Sequence, residues 1–271
     1  MDYKDQDADD WGGVYRDCLS KSMDDLFRPD PSIRLFAVTP AHSAFIQGTL
    51  AHAGTDEFYV PLAIAGDDRA TSLMRFVGVL MGISLRFEHY LDFKMHPIMW
   101  KLIVGENPTI QDLESVDHVV GAFLTRLVTW TSWGEEAQEA QAEFRAEFPL
   151  QRFVDPADGR TPLIADGASI SVTLANRSTF AKLALQKYTS QYRVATRAIR
   201  EGMSLIVPDR ALGLCPSRTL RALVCGNDMI DVDVLRRHTR YGEEFGLEYN
   251  ADTDVVKFFW EVFADMSNRE R

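Results

Sequence analysis

The chain has 271 residues, 46% hydrophobic and 25% charged, the balance of a folded globular protein whose length fits one large domain or two smaller ones. Its net charge of -11, from 40 acidic against 29 basic residues, repels a phosphate backbone and counts against nucleic acid as a partner. Cys18, Cys215 and Cys225 are odd in number and lack C-x-x-C spacing, so neither a disulfide framework nor a zinc site is expected, and the expected compartment is a reducing cytosol or nucleus.

The opening MDYKDQDADD has neither a basic nor an apolar region, so no signal peptide is predicted. Arg16 to Phe27 places Leu19, Met23, Leu26 and Phe27 on one face, which predicts an amphipathic helix ended by Pro29 and Pro31. Residues 33–60, with IRLFAV, read as short strands joined by loops. From Ser72 to Tyr90 a central helix is predicted, apolar on several sides, with Gly78 and Gly82 forming a face that can lie against a neighbour. Its apolar stretch, Leu73 to Leu85, falls short of the roughly 20 residues of a membrane span and predicts no membrane partner.

His96 to Val104 reads as a short helix stopped by Gly105, and Thr109-x-x-Asp112 supplies a capping box for the next. Val116, Val119, Val120, Phe123, Leu124 and Leu127 recur at spacings of three and four, predicting a helix to about Trp130. Residues 134–147 read as an exposed helical insertion. Turns at Asp158-Gly159 and Asp166-Gly167 predict a three-stranded meander over 150–174. A long helix capped by Asn176 then reaches about Ile206, before Pro208. Helices follow from Ser217 to Cys225, from Asp231, and from Thr253 to Met266, where Phe258, Phe259, Trp260 and Phe263 read as core. The predicted fold class is therefore α+β and mainly α-helical.

Local catalytic signatures are missing, and the six histidines show no i, i+4 pair for a metal, so no metal or cofactor is expected. Cys225 ends a helix, where the dipole disfavours a thiolate; Cys18 lies within a helix and Cys215 in a turn, none with an activating partner. From the residues alone, the chain reads as a binding module.

Several segments, in order, resemble the HECT family of ubiquitin ligases and particularly its HERC branch. They are Asp10 to Arg16 (DWGGVYR), MRFVGVLMGISLRF at 74–87, PTIQDLESVD at 108–117, VTLANRSTFAKLA at 172–184, EGMSLIVP at 201–208, LRALVCGNDMIDVDVLRRHTRY at 220–241 and VVKFFWEVFADMSNRER at 255–271. The resemblance implies the family's amino-terminal lobe, with a large helical subdomain over about 1–105 plus 188–271 and a small subdomain over about 106–187. It further implies that the chain stops before the lobe bearing the ubiquitin-accepting cysteine, so no catalytic residue is expected within it.

The family's small subdomain grips a loop phenylalanine of a ubiquitin-conjugating enzyme. By that resemblance the groove falls on Val120, Leu124 and Phe180, with Leu127 as a further candidate and Ala184 at a position that is aromatic in the family. The implied partners are the conjugating enzyme and, through it, ubiquitin and a protein substrate. The alternative from another class is a non-catalytic adaptor on the same scaffold. Spacing alone reads Val120, Leu124 and Leu127 as core.

Overall fold

The computed structural model describes residues 13–28, 34–47, 58–133, 136–149, 151–226, 230–244, 247–248 and 250–266. The acidic opening stretch and the start of the DWGGVYR segment lie outside them. The chain divides into two compact units, Met1–Cys225 and Gly226–Arg271.

In the first unit, α1 (Gly13–Leu26) precedes β1 (Phe36–Val38), α2 (Pro40–Ile46) and β2 (Tyr59–Pro61). The strands pair antiparallel with Phe36 opposite Pro61 and Val38 opposite Tyr59. The sequence reading of this stretch missed α2, which begins at a Thr39 N-cap followed by Pro40 at the first helical position. Leu19, Met23 and Phe27 of the first segment are buried, with the Phe27 ring 5.0 Å from Phe36 and 5.1 Å from Tyr59.

The central helix, α3 (Asp68–Phe87), starts four residues before the predicted Ser72 because Asp67 caps it, its carboxylate accepting from Ala70 N–H. At 20 residues it is long and apolar enough to cross a membrane by length and composition, contrary to the shorter apolar stretch read from sequence. It packs instead along α9 (Arg193–Met203). The predicted glycine face makes that approach. A Cβ on Gly78 would collide with the Ile199 carbonyl, one on Gly82 would sit 2.8 Å from Ile206 Cβ, and one on Gly202 would collide with the Arg75 carbonyl.

Next comes α4 (Pro97–Val104), whose Ile98, Met99, Trp100, Ile103 and Val104 are buried among α9, α10 (Asp209–Leu214) and α11 (Ser217–Cys225). His96 caps its start, Nδ1 accepting from Ile98 N–H at 3.2 Å, and Gly105 ends it in a left-handed turn (φ +88°) that suits glycine. Two long-range side chains tie its end to later helices. Arg200 donates to the Ile103 carbonyl at 2.9 Å, meeting an orphan acceptor of the last turn, and Glu106 accepts from the N–H and hydroxyl of Ser217 at 2.8 and 2.6 Å, capping α11. Those bonds from Ser217 hold the Glu106 carboxyl below its ordinary range.

The predicted capping box opens α5 (Ile110–Val116), and the helix predicted to run to about Trp130 is α6 (His118–Thr129), parted from α5 because Asp117 takes extended backbone geometry and starts α6 as its N-cap. Gly121 permits the tight return, since a Cβ there would strike the Glu114 backbone. The helix predicted from Asn176 to Ile206 breaks into α8 (Arg177–Ser190) and α9, at a turn where Tyr192 is buried. Asn176 does not cap α8; its side chain accepts from Thr173 N–H and donates to the Ser171 carbonyl. Between them, α7 (Ala137–Glu147) is amphipathic rather than wholly exposed, burying Ala140 and Phe144.

The predicted meander holds isolated bridges rather than strands. Segment 151–155 lies in the middle, bridged at Arg152 to Ser171 on one side and at Val154 to Pro162 on the other. One 3-10 turn, Gly167–Ser169, replaces the second hairpin turn. The runs are too short to build ladders.

In the second unit, α12 (Val232–His238), a two-residue pair of strands β3 (Glu243–Glu244) and β4 (Leu247–Glu248), and α13 (Asp254–Asp265) follow. Trp260 is buried, and its indole N–H donates to the Tyr241 hydroxyl at 2.8 Å. The sequence reading of the neighbouring aromatics as core fails for Phe258 and Phe259, both more than half exposed. The protein is thus mainly helical with small antiparallel pairs, as its pattern predicts.

Candidate functional site

Val120, Leu124 and Leu127 stand on the inner face of α6, which packs against α8, where Phe180 and Ala184 stand. All five are buried in one continuous core, Leu124, Leu127 and Phe180 completely. Phe180 is met edge-on by Phe153 at 5.5 Å. In this conformation the five residues form packed interior, and Val120 also lines a cleft.

That cleft, of about 360 Å3, opens between the first turns of α6 and segment 151–159. Val119, Val120 and Phe123 line one side, and Gln151, Arg152, Val154, Asp155, Pro156 and Gly159 the other. Val119 is 76% exposed, although it is β-branched and apolar. Phe123 is half-buried, held edge-on by Phe148 at 6.3 Å, and the Phe148 ring also carries the Arg126 guanidinium at 5.5 Å. Phe148 in turn packs on Phe144, and Phe144 on Trp130, so α7 buttresses the cleft from behind Phe123.

Helical periodicity did pick out Val119 and Phe123, but it placed them with Val120 and Leu124 as one apolar set. Positions 119 and 123 form a stripe one residue away from 120, 124 and 127. Both stripes are apolar, and only burial separates the wall of the cleft from the core. The 151–159 side carried no sequence signal for a site beyond its turn residues.

Asp117 fixes the start of α6, the helix that forms one wall of the cleft. One carboxylate oxygen accepts from Val120 N–H at 3.1 Å and the other from the Tyr188 hydroxyl at 3.1 Å. Burial, reinforced by Tyr192 and Asp117, drives the Tyr188 hydroxyl well above the ordinary phenol range, so it stays a donor to the carboxylate. Tyr192 is pushed up to about 12, chiefly by burial. On the opposite wall Arg152 donates to the Ser169 carbonyl and, at 2.6 Å, to the Ser171 hydroxyl, so its guanidinium is engaged within the wall.

A second cleft of about 410 Å3 is lined by Leu19, Ser20 and Glu88 to Leu91, none of them a predicted site residue. Among the described residues no group of three or more His, Cys, Asp or Glu side chains could hold a metal. Cys215 has its thiol pushed up by burial and by the Glu106 carboxylate, which disfavours the reactive thiolate; Cys225 lies with its sulfur 3.9 Å from the Phe93 carbonyl, and Cys18 is exposed.

The chain is 28% identical over 266 residues to the E3 ubiquitin-protein ligase HERC2 of Homo sapiens, covering 98% of this chain and 5% of that protein. It is 24% identical over 269 residues to the E3 ubiquitin-protein ligase RSP5 of Chaetomium thermophilum, covering 98% of this chain and 29% of that protein. To the E3 ubiquitin-protein ligase NEDD4 of Homo sapiens it is 22% identical over 268 residues, 97% of this chain and 18% of that one. The chain spans less than a third of the length of each of these relatives. The family model of the HECT domain, described as ubiquitin-transferase, matches residues 20–271, and the chain belongs to that family.

Proposed function

We propose that this chain docks a ubiquitin-conjugating enzyme in the cleft between α6 and segment 151–159, as part of a HECT-type ubiquitin ligase. One observation carries the reading: a solvent-open cleft with an apolar wall lies on the same helix as the positions the family resemblance picks out, with Val119 exposed and Phe123 half-buried on that wall. Apolar and aromatic anchors entering such a cleft supply most of the energy of a small interface. On this reading residues of about 106–187 form the docking subdomain and the rest of the first unit its frame.

The chemistry follows from the family's activity. Ubiquitin passes from the conjugating enzyme to a cysteine of the ligase and then to a substrate lysine, two thioester exchanges in which this region contributes proximity and orientation. The proposed setting is the cytosol or nucleus, where thiols stay reduced.

Calorimetry against a panel of purified ubiquitin-conjugating enzymes tests the proposal, with Val119→Asp and Phe123→Ala as variants. We expect binding to at least one member, weakened about 10-fold or more by each variant, a loss of about 1.4 kcal/mol. A folded chain that binds no member, or binding indifferent to both variants, overturns it. The first of these leaves the adaptor.

A further inference from the structure

We propose that Asp158 is a positioning residue of the α6 cleft, its carboxylate holding the 155–161 turn as a preformed wall for the docking partner. This rests on the docking reading above. Asp155, Pro156 and Gly159 of this turn line the cleft, whereas Asp158 does not, so it acts through its neighbours.

Residues 157–160 are exposed and contain no large apolar side chain to anchor them, so the hydrophobic effect does not fix their path. Hydrogen bonds do. Asp158 Oδ1 accepts from Arg160 N–H at 2.8 Å and Thr161 N–H at 2.9 Å, and Oδ2 accepts from the Thr161 hydroxyl at 2.5 Å. Around this centre Asp155 accepts from Ala157 N–H, Gly159 N–H donates to the Asp155 carbonyl, and Asp155 N–H donates to the Thr161 carbonyl. Gly159 takes a positive φ of +66°, which a side chain would resist.

Those three donors, with the Thr161 bonds foremost, hold the Asp158 carboxyl down at about 2, so it is ionised at any working pH and its bonds are charge-assisted. A wall already in its bound shape spares the partner the entropy of ordering it, and a loosened wall returns that cost to the binding step. Fewer than five residues need ordering, so the effect is modest in size and readable as affinity.

The test compares the full chain with its Asp158→Ala and Asp158→Asn variants by calorimetry against the tightest-binding conjugating enzyme of the panel, with Phe123→Ala alongside. Amide exchange at Arg160 and Thr161 is followed in parallel. Alanine removes every acceptor, whereas asparagine keeps one oxygen for both amides. We expect Asp158→Ala to weaken binding about 5- to 10-fold and speed exchange at both amides, and Asp158→Asn to stay within about 2-fold of wild type, with thermal midpoints alike. A turn that merely stabilises the fold would not show that rescue in affinity at constant midpoint. Binding lost in Phe123→Ala but retained in Asp158→Ala overturns this inference alone and leaves the docking reading standing. Unchanged exchange in Asp158→Ala overturns it whatever the affinities. A folded wild-type chain that binds no conjugating enzyme overturns both.

Discussion

Along α3 and α9 two backbones touch through glycine, and what holds them is shape: Gly78 faces the Ile199 carbonyl and Gly202 the Arg75 carbonyl, leaving no room for a methyl group. At the α6 cleft the wall is an exposed turn held by polar bonds, separated from the helix by open space. Close packing gives a frame that cannot yield, and hydrogen-bonded loops give a surface that can be left open to a partner. The two regions should therefore answer mutation differently.

The largest effect is expected at the seam. Gly202→Val puts a branched side chain into the Arg75 carbonyl and the α3 backbone, and we expect no cooperative unfolding transition by circular dichroism, the outcome of severe overpacking. A cooperative transition near the wild-type midpoint would show that the helices can part.

Next in size is Phe180→Ala, at about 3–5 kcal/mol in chemical denaturation, because the ring is completely buried. A loss below about 1 kcal/mol would instead place Phe180 at an accessible surface. This decides which variants can test docking, since truncating Phe180 or Leu124 damages the frame along with any groove.

A third prediction concerns His96. Burial pushes its imidazole down to about 4, with the Asp112 carboxylate opposing and the Arg221 guanidinium assisting. The unfolded chain takes up a proton near the ordinary 6.5 that the folded chain refuses until about 4. Stability from this group is complete above that window, falls as pH drops through it, and is lost below it, by up to about 3 kcal/mol. Denaturation midpoints from pH 7.5 to 4 should show a slope that His96→Asn, which keeps a capping acceptor, flattens.

The smallest effect on stability belongs to Val119→Asp, within about 0.5 kcal/mol of wild type, because the side chain is 76% exposed. Combined with lost docking, that neutrality separates wall from frame.

Much of the frame was legible because its signals are local. Gly105 stops α4, Thr109 and Asp112 form the predicted capping box, and the Gly78–Gly82 spacing marked a close approach. Asp112 also takes both oxygens to Lys101, at 2.9 and 2.7 Å. Burial alone would raise its pKa, but the Lys101 and Thr109 bonds outweigh this and hold it down. The break between α8 and α9 was not legible, because neither glycine nor proline marks it and the turn answers to the burial of Tyr192. At the site, periodicity placed apolar residues on α6 but could not tell Val119 from Val120, which differ only in what lies across from them.

The bond from Ser84 hydroxyl to the Val224 carbonyl spans 140 residues of sequence, and its consequence falls during synthesis. At a translation rate of about 5–20 residues per second, roughly 7 to 28 s pass between the emergence of α3 and that of the segment that completes its cover. Until α9 and then α11 follow, this segment of 20 residues, long and apolar enough by composition to cross a membrane, is without the helices that cover it.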